Sequence, residues 1–246
     1  ATGKYLTFID SDDYVSISYI EELYNYLIQN KADIAVCSMQ KVSGYLTEKL
    51  IEKDACKIKV WNSEDALRQM LLQYDITCNA WGKLYISELF KNIRYPKGKL
   101  YEDLATTYKL IDMSNKIVFF DKKLYAYYQR IDSIQNSEFS EKKLDEIEIV
   151  NELVSFVEKK YPRLKNAVIN RKISSYFHVL FSISDMQKYD FIAVKLREEI
   201  KKDRTAIVFA RDVNKKVRIG CLLSFLGFVL TRRIYNICGI RGTINL

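Results

Sequence analysis

The chain has 246 residues, of which 48% are hydrophobic, eight are glycine and two are proline. That composition excludes a disordered or low-complexity protein and can fill the core of one large domain, or of a domain with an appendage. The five cysteines are scattered, odd in number and without a CxxC pair, and His178 is the only histidine. We therefore expect a reducing compartment and no disulfide framework, cysteine–histidine zinc site or serine–histidine triad.

The formal net charge of +8 comes from the second part of the chain. Residues 1–135 carry 18 basic and 18 acidic side chains, whereas residues 136–246 carry 21 basic and 13 acidic ones. The second part is therefore predicted to lie near anions, which could be nucleic acid, phospholipid headgroups or a phosphorylated substrate.

Predicted strands and helices alternate from the start of the chain. Residues 5–9 (YLTFI) are expected to form a short strand inside a sheet that is covered on both faces. Ser18 and Glu21 have the spacing of a capping box, which predicts a helix after an acidic turn. Residues 32–42 (ADIAVCSMQKV) are predicted to be the next strand.

The alternation continues to about residue 130. A helix is predicted from Ser63 to about Gln73, because the acidic residues after Ser63 favour the positive end of a helix. Residues 80–85 (AWGKLY) are expected to be extended and residues 102–113 to be helical. Residues 116–128 (KIVFFDKKLYAYY) are predicted to form two strands joined by a tight connection at DKK. This order of elements favours an α/β sheet.

From Ser140 onward the pattern is helical. Apolar residues keep a period of about 3.6 from Leu144 to Val157, and Pro162 ends that helix. Two or three further helices are predicted after it. We place the domain boundary near residue 136.

Asp10, Asp12 and Asp13 follow the first predicted strand directly. Ligands bind at the carboxyl ends of strands in open α/β sheets, and carboxylates suit Mg²⁺ or Mn²⁺, which commonly bridge substrate phosphates. Asp10 and Asp12 could share such a metal while Asp13 caps the turn. Alternatively, all three are turn and cap residues, a role that aspartate favours.

A DxD sequence after a strand also begins the haloacid-dehalogenase phosphatases, in which Asp10 would be the nucleophile. The DxDG[TV] pattern of those enzymes is broken here by Asp13 and Tyr14, and the chain contains no Gly-Asp pair. This interpretation is therefore ranked far below a metal site.

Residues 100–108 (LYEDLATTY) place Glu102 and Asp103 at a helix start, where acids are also simply favourable partners of the helix dipole. Taken together, FIDSDDY, AWGKLY, YED and YYQR followed by Ser133 and Ile134 resemble the family 2 glycosyltransferases, in particular those of bacterial surface polysaccharides. The resemblance covers about residues 3–135.

The resemblance implies an α/β fold. Residues 1–135 would be the C-terminal part of a GT-A (Rossmann-like) catalytic domain, and residues 136–246 a basic, all-helical domain. It implies metal-dependent, inverting transfer of a sugar from a nucleotide-sugar, with a UDP-sugar as the expected donor. The acceptor would be a glycan or a polyprenyl-linked molecule, and the protein would act at the cytoplasmic face of the cell membrane.

Family roles transfer by position onto seven residues. Asp10 would lie near the nucleotide ribose and, with Asp12, hold Mg²⁺ or Mn²⁺ on the diphosphate. Asp103 would be the catalytic base, with Glu102 beside it. The remaining three belong to the donor and acceptor surfaces: Arg130 would face the diphosphate, and Trp81 and Lys83 would line the sugar and acceptor side.

Family members also carry a strand–helix–strand–helix segment before the DxD strand, with an aspartate that recognises uracil. Because this sequence begins at Ala1, directly before that strand, we expect the N-terminal part of the nucleotide-binding domain to be missing. A truncated gene or fragment is the simplest explanation, and a catalytically inactive remnant that binds a membrane or a partner is the alternative function.

Residues 220–230 (GCLLSFLGFVL) form an apolar segment flanked by basic residues. The segment is shorter than the about 20 residues that a membrane-spanning helix needs. It is interpreted either as a helix lying in an anionic membrane interface or as a core helix. Nucleic-acid binding is not expected, because the aromatic residues have core-like spacing, and His178 is predicted to be a packed helix residue.

Overall fold

A computed structural model describes residues 1–42, 50, 57–129 and 138–237. Two compact units contain these residues. The sheet unit comprises Ala1–Met70, Asp75–Pro96 and Asp103–Ile131, and the helical unit comprises Leu71–Tyr74, Lys97–Glu102 and Asp132–Leu246.

The first part of the chain forms six strands and three α-helices. The strands are β1 (Tyr5–Thr7), β2 (Tyr14–Val15), β3 (Ile34–Val42), β4 (Ile58–Trp61), β5 (Lys83–Ile86) and β6 (Ile117–Tyr128). The helices are α1 (Tyr19–Asn30), α2 (Ser63–Leu72) and α3 (Glu102–Met113). The predicted alternation of strands and helices is confirmed.

The strands form one mixed sheet in the order β1-β5-β3-β6. The central pair, β3 and β6, is parallel, and the other pairs are antiparallel. β6 pairs on its other side with β4 through its first half and with β2 through its second half. This arrangement brings the turn after β1 and the end of β6 into contact, because β2 follows that turn directly.

The prediction that residues 5–9 form a strand inside the sheet is wrong. Among the described strands, β1 pairs only with β5 and lies at the edge, and its residues are half-buried. Its side chains pack on α1: the Tyr5 ring contacts Tyr24 edge-on, with centroids 5.4 Å apart, and the Thr7 hydroxyl bonds to the Tyr19 hydroxyl at 3.1 Å. Phe8, which follows the strand, packs instead against Phe90 and Tyr95, with ring centroids 5.7 and 5.3 Å away, so the apolar residues of this segment contact more than α1.

The predicted break at DKK is also wrong, because β6 is one continuous strand. Cys37 of β3 pairs with Phe120 of β6, but the next residue of β3, Ser38, pairs with Lys123. Residues 121–123 of β6 are therefore part of a bulge. A turn would have reversed the chain, whereas here both halves run parallel to the same strand. Lys122 pairs with Glu22 of α1 at 2.6 Å, so a polar side chain of the bulge has its own partner.

The helix starts are located correctly, but the capping atoms differ from those predicted. Ser18 precedes α1, yet its side chain makes no capping hydrogen bond, so the predicted capping box is not formed. Asn62, rather than Ser63, caps α2 through its side-chain oxygen, which accepts from Asp65 N at 2.8 Å. The helix predicted over residues 102–113 is confirmed in full by α3.

The helical unit contains α4 (Asp145–Lys160), α5 (Lys165–Ser182), α6 (Asp190–Phe209), α7 (Lys215–Ser224) and α8 (Phe228–Ile237). Four α-helices therefore follow Pro162 in the described part of the chain, not two or three. Their core is mainly aliphatic and contains an aromatic cluster, in which the Phe181 ring lies 5.3 Å from Phe177 and 4.9 Å from Tyr235, measured between centroids. Across the described residues, no helix is long and apolar enough to cross a bilayer.

The apolar segment 220–230 is not one helix, as both interpretations assumed. α7 ends at Ser224, and α8 starts at Phe228 after a turn in which Gly227 has a φ of +109°. Glycine adopts that backbone conformation without a steric cost. Apolar side chains of both helices and of the turn are exposed, whereas Gly220 and Cys221 of α7 are buried.

Candidate active site

The three acids after β1 lie together on a tight turn. Asp13 N donates to Asp10 O at 3.1 Å, which closes the turn. One carboxylate oxygen from each of Asp10, Asp12 and Asp13 lies within 4.8 Å of the others. Asp10 and Asp12 are exposed, whereas Asp13 is partly buried.

Asp13 connects this turn to β6. Its carboxylate accepts from the Tyr125 hydroxyl at 2.7 Å and from Tyr128 N at 2.8 Å. The same hydroxyl accepts from Asp10 N at 3.1 Å. Both carboxylate oxygens of Asp13 thus bind β6, a role that the sequence did not predict when it assigned Asp13 to cap the turn.

An aromatic stack continues from Tyr125. The Trp81 ring lies nearly parallel to Tyr125, with centroids 4.4 Å apart, and to Tyr127 at 5.4 Å. Burial raises the pKa of both tyrosines, and the negative charges of Asp13, Asp12 and Asp10 raise that of Tyr127 further.

Lys83 lies beneath the loop that carries Trp81. Its side chain is buried, and its ammonium donates to Asn79 O at 2.6 Å and Trp81 O at 3.4 Å. Burial lowers the pKa of Lys83 to about 8, and the nearby Cys78, Asp103 and Cys37 partly oppose that effect. The predicted contact of Lys83 with the sugar or acceptor stays a prediction.

Gly82 makes the close turn between Trp81 and Lys83 possible. Its φ of +69° lies in the left-handed region that favours glycine. Its carbonyl accepts from Cys37 N at 3.0 Å, which attaches the loop to the central strand β3. The loop and β6 therefore hold Trp81 from two sides.

Asp103 lies in the first turn of α3, after the exposed Glu102. Its carboxylate accepts from Leu104 N at 2.6 Å and lies 3.8 Å from Cys78 Sγ. The Thr107 hydroxyl donates to Cys78 O at 2.5 Å, so α3 is attached to residues 78–83 at two points. Together with the charge effect of Asp103 on Lys83, these contacts join the second acidic motif to the Trp81 loop.

Five of the seven predicted site residues thus belong to one connected region of the sheet unit: Asp10, Asp12, Trp81, Lys83 and Asp103. Glu102 is the last helical-unit residue before Asp103. Arg130 lies outside the described residues, as do Ser133 and Ile134, and its predicted contact with a diphosphate stays a prediction. Tyr125 and Tyr127 were missed as site residues, although their motif contributed to the resemblance.

The donor set of the acidic turn fits a hard divalent cation. Asp10 and Asp12 offer exposed carboxylate oxygens, the ligand type that Mg²⁺ and Mn²⁺ prefer. Asp13 already accepts two hydrogen bonds, so it contributes chiefly by fixing the turn.

Residues 1–93 match the model of glycosyl transferase family 2. This part of the chain is therefore similar to that family. Glycosyltransferase GlyA of Streptococcus pneumoniae serotype 4 is 33% identical over 141 residues, covering 54% of this chain and 20% of GlyA. GlyG of the same organism is 27% identical over 146 residues, covering 56% of this chain and 48% of GlyG. The chain therefore spans less than half the length of either relative.

The crystal structure of Staphylococcus aureus TarS 1–349 in complex with UDP-GlcNAc has a similar fold. It superposes with a TM-score of 0.63 at 17% identity, covering 98% of this chain and 69% of that one. This likeness confirms the predicted GT-A sheet with a helical C-terminal region, and the family match confirms the resemblance to family 2 glycosyltransferases.

Proposed function

We propose that this chain performs inverting transfer of a sugar from a nucleotide-sugar, with a UDP-sugar as the expected donor, to a glycan or lipid-linked acceptor in surface-polysaccharide assembly. The match of residues 1–93 to glycosyl transferase family 2 supports the reaction class, and the UDP-GlcNAc bound in the TarS structure supports the donor class. The observation that carries the proposal is the set of contacts from Asp13 through Tyr125 and Trp81 to Lys83, together with the contact of Asp103 with Cys78 of the same loop.

The acidic turn would form the donor side of the site. Asp12 and Asp10 would hold Mg²⁺ or Mn²⁺, whose positive charge stabilises a departing nucleoside diphosphate. Asp10 would also lie near the ribose, and Arg130 would add positive charge. Asp13 and Tyr125 would keep the two exposed carboxylates in place, which lowers the reorganisation needed when a donor binds.

Asp103 would act as the base on the acceptor side. Its carboxylate would remove the proton from the acceptor hydroxyl as that oxygen attacks the anomeric carbon opposite the diphosphate. Trp81 would line the space between donor and acceptor.

Contact with an anionic membrane at the cytoplasmic face is the remaining part of the proposal. It would be made by the apolar hairpin, which we define as α7, α8 and the turn between them. Six apolar side chains of the hairpin are between 42% and 70% exposed: Ile219, Leu222, Phe225, Leu226, Val229 and Leu230. Flanking basic residues would attract anionic headgroups while these side chains enter the interface.

Asp103→Asn tests the catalytic assignment. The variant keeps the shape of the side chain but removes the base, so sugar transfer from a UDP-sugar should fall by about 100-fold or more. Calorimetry should find donor binding in the presence of Mn²⁺ unchanged. Asp112→Asn, further along α3, is the matched control and should keep full turnover. Near-normal transfer by Asp103→Asn would show that another group is the base.

Asp12→Asn tests the donor side. It should weaken Mn²⁺-dependent binding of UDP, and a chelator should abolish that binding in the unmodified protein. UDP binding that is the same with and without Mn²⁺ would contradict the metal assignment.

The second candidate is a catalytically inactive, membrane-binding module, which the exposed hairpin favours independently of the acids. Co-sedimentation with phosphatidylglycerol and phosphatidylcholine vesicles separates the two candidates when combined with the UDP titration. Leu226→Asp should reduce vesicle binding, and Ile20→Asp, on an exposed position of α1, is the control. Vesicle binding without nucleotide binding would favour the module, and phosphoenzyme formation on Asp10 would revive the phosphatase interpretation.

A further inference from the structure

Tyr101, which precedes the candidate catalytic acids, has an unusual backbone. Its φ is +60°, a region that bulky side chains rarely occupy and that costs about 1–2 kcal/mol per residue. Such a conformation persists only where surrounding contacts hold it. α3 begins at the next residue, Glu102, so the Tyr101 backbone determines the direction in which the helix starts.

The first turn of α4 holds the segment 97–102 within the helical unit. Asp145 accepts from Leu100 N at 3.0 Å, and Glu148 pairs with Lys99 at 2.7 Å. The Lys99 pair is largely exposed and contributes little, whereas the bond from Asp145 fixes the backbone next to Tyr101.

Glu146, the remaining acid in the first turn of α4, acts through a histidine. Glu146 is 1% exposed, and its carboxylate bonds to His178 Nδ1 at 2.6 Å. The imidazole ring in turn contacts the Tyr101 ring edge-on, with centroids 6.0 Å apart and planes at 89°. Arg171 also lies 4.0 Å from the Glu146 carboxylate, so the acid that orients the histidine is itself held.

We propose that His178, oriented by Glu146, is a positioning residue for the transfer reaction, because it fixes the Tyr101 ring and thereby the backbone from which Glu102 and Asp103 begin α3. This inference rests on the proposed role of Asp103 as the base. It gives the single histidine of the chain a role beyond packing. If the ring contact is lost, Tyr101 can relax to an ordinary conformation, and the start of α3 moves with it.

Tyr101→Ala and Tyr101→Phe form the principal test. Tyr101→Ala removes the ring, and a misplacement of the base by about 1 Å lowers kcat by about 100-fold. The KM and calorimetric affinity for the UDP-sugar should not change. Tyr101→Phe keeps the ring contact and should restore kcat. A general folding defect would instead lower the number of donor-binding sites and kcat together, and that result would overturn the proposal, as would a normal kcat in Tyr101→Ala.

Hydrogen–deuterium exchange provides a readout that does not depend on activity. In His178→Gln, the amides of residues 100–107 should exchange faster than in the unmodified protein, whereas the remainder of α5 stays protected. Asn166→Ala, at an exposed position of α5, is the control. Unchanged exchange in His178→Gln would overturn the positioning role even if the protein is an active transferase. Faster exchange in a protein without transferase activity would leave the structural coupling in place and refute only the proposed function.

Discussion

The buried ammonium of Lys83 predicts how the stability of the sheet unit depends on pH. The ordinary pKa of a lysine is 10.5, and burial lowers that of Lys83 to about 8. At about 1.4 kcal/mol per pH unit, the charged form of Lys83 therefore destabilises the folded state by about 3 kcal/mol at neutral pH.

The direction of the effect follows from which state holds the proton. Between pH 8 and pH 10.5 the unfolded chain keeps the proton on this lysine while the folded protein has lost it, so the free energy of unfolding rises with pH. The rise attributable to Lys83 is about 1 kcal/mol between pH 7 and pH 9. Cys37, whose thiol pKa burial raises to about 12, has the opposite effect above its ordinary pKa of 9.0, which makes pH 7 to pH 9 the informative window.

Lys83→Met isolates this contribution. Methionine fills similar space without a charge, so the variant should lack the rise of about 1 kcal/mol over that window. Its absolute stability is less informative, because two carbonyls lose a donor, at a cost of about 1–3 kcal/mol for each group left unsatisfied. The chain's two tryptophans, Trp61 and Trp81, both belong to the sheet unit, so urea unfolding followed by tryptophan fluorescence reports on that unit.

Lys91→Met is the control, since that side chain is 71% exposed, and its pH dependence should match that of the unmodified protein. If the difference in unfolding free energy between the unmodified protein and Lys83→Met is the same at pH 7 and pH 9, the Lys83 ammonium is not held in a buried site, and the reasoning fails.

Two further predictions concern packing. Gly220→Ala would place a methyl group against the buried Tyr235 hydroxyl, so the helical unit should lose about 1–3 kcal/mol of stability. Thermal unfolding followed by circular dichroism measures this loss, and an unchanged melting temperature would contradict the packing. Tyr125→Phe removes the hydroxyl that binds Asp13, so urea unfolding should show a loss of about 1–3 kcal/mol in the stability of the sheet unit. Tyr127→Phe is the control. Equal losses in both variants would argue against the Asp13 bond as the cause.

The helices and strands that were predicted correctly are those whose sequence signals lie within the element itself. α3 has its acids, its apolar face and its length within residues 102–113, and β3 begins with the apolar run IAVC at residues 34–37. The edge position of β1 was not predictable in the same way, because sheet order depends on which strands meet after folding. The break in segment 220–230 had a local signal, Gly227, but the apolar character of the segment outweighed it.

In the candidate site, too, the short sequence motifs were found from the sequence, whereas contacts between distant residues were not. The two acidic motifs were noticed from their places after a strand and at a helix start, and the role of a base came from the resemblance to family 2 glycosyltransferases. The bond between Asp13 and Tyr125 spans 112 residues, so no local pattern contains it. Lys83 illustrates a different limit: a lysine is normally exposed, and only the loop folded over it by Gly82 reveals that it is buried.

The bulge in β6 explains why Tyr125 is the residue that meets the acidic turn. Between the Phe120 and Tyr125 pairs, β6 advances five residues while β3 advances only two, from Cys37 to Met39. In a regular ladder Met39 would lie opposite Lys122, and Tyr125 would lie three positions further along β3. Because side chains alternate with a period of two, this odd shift also exchanges the faces that β6 presents. The tyrosine that binds Asp13 and stacks on Trp81 therefore depends on the segment that the sequence had indicated as a simple turn.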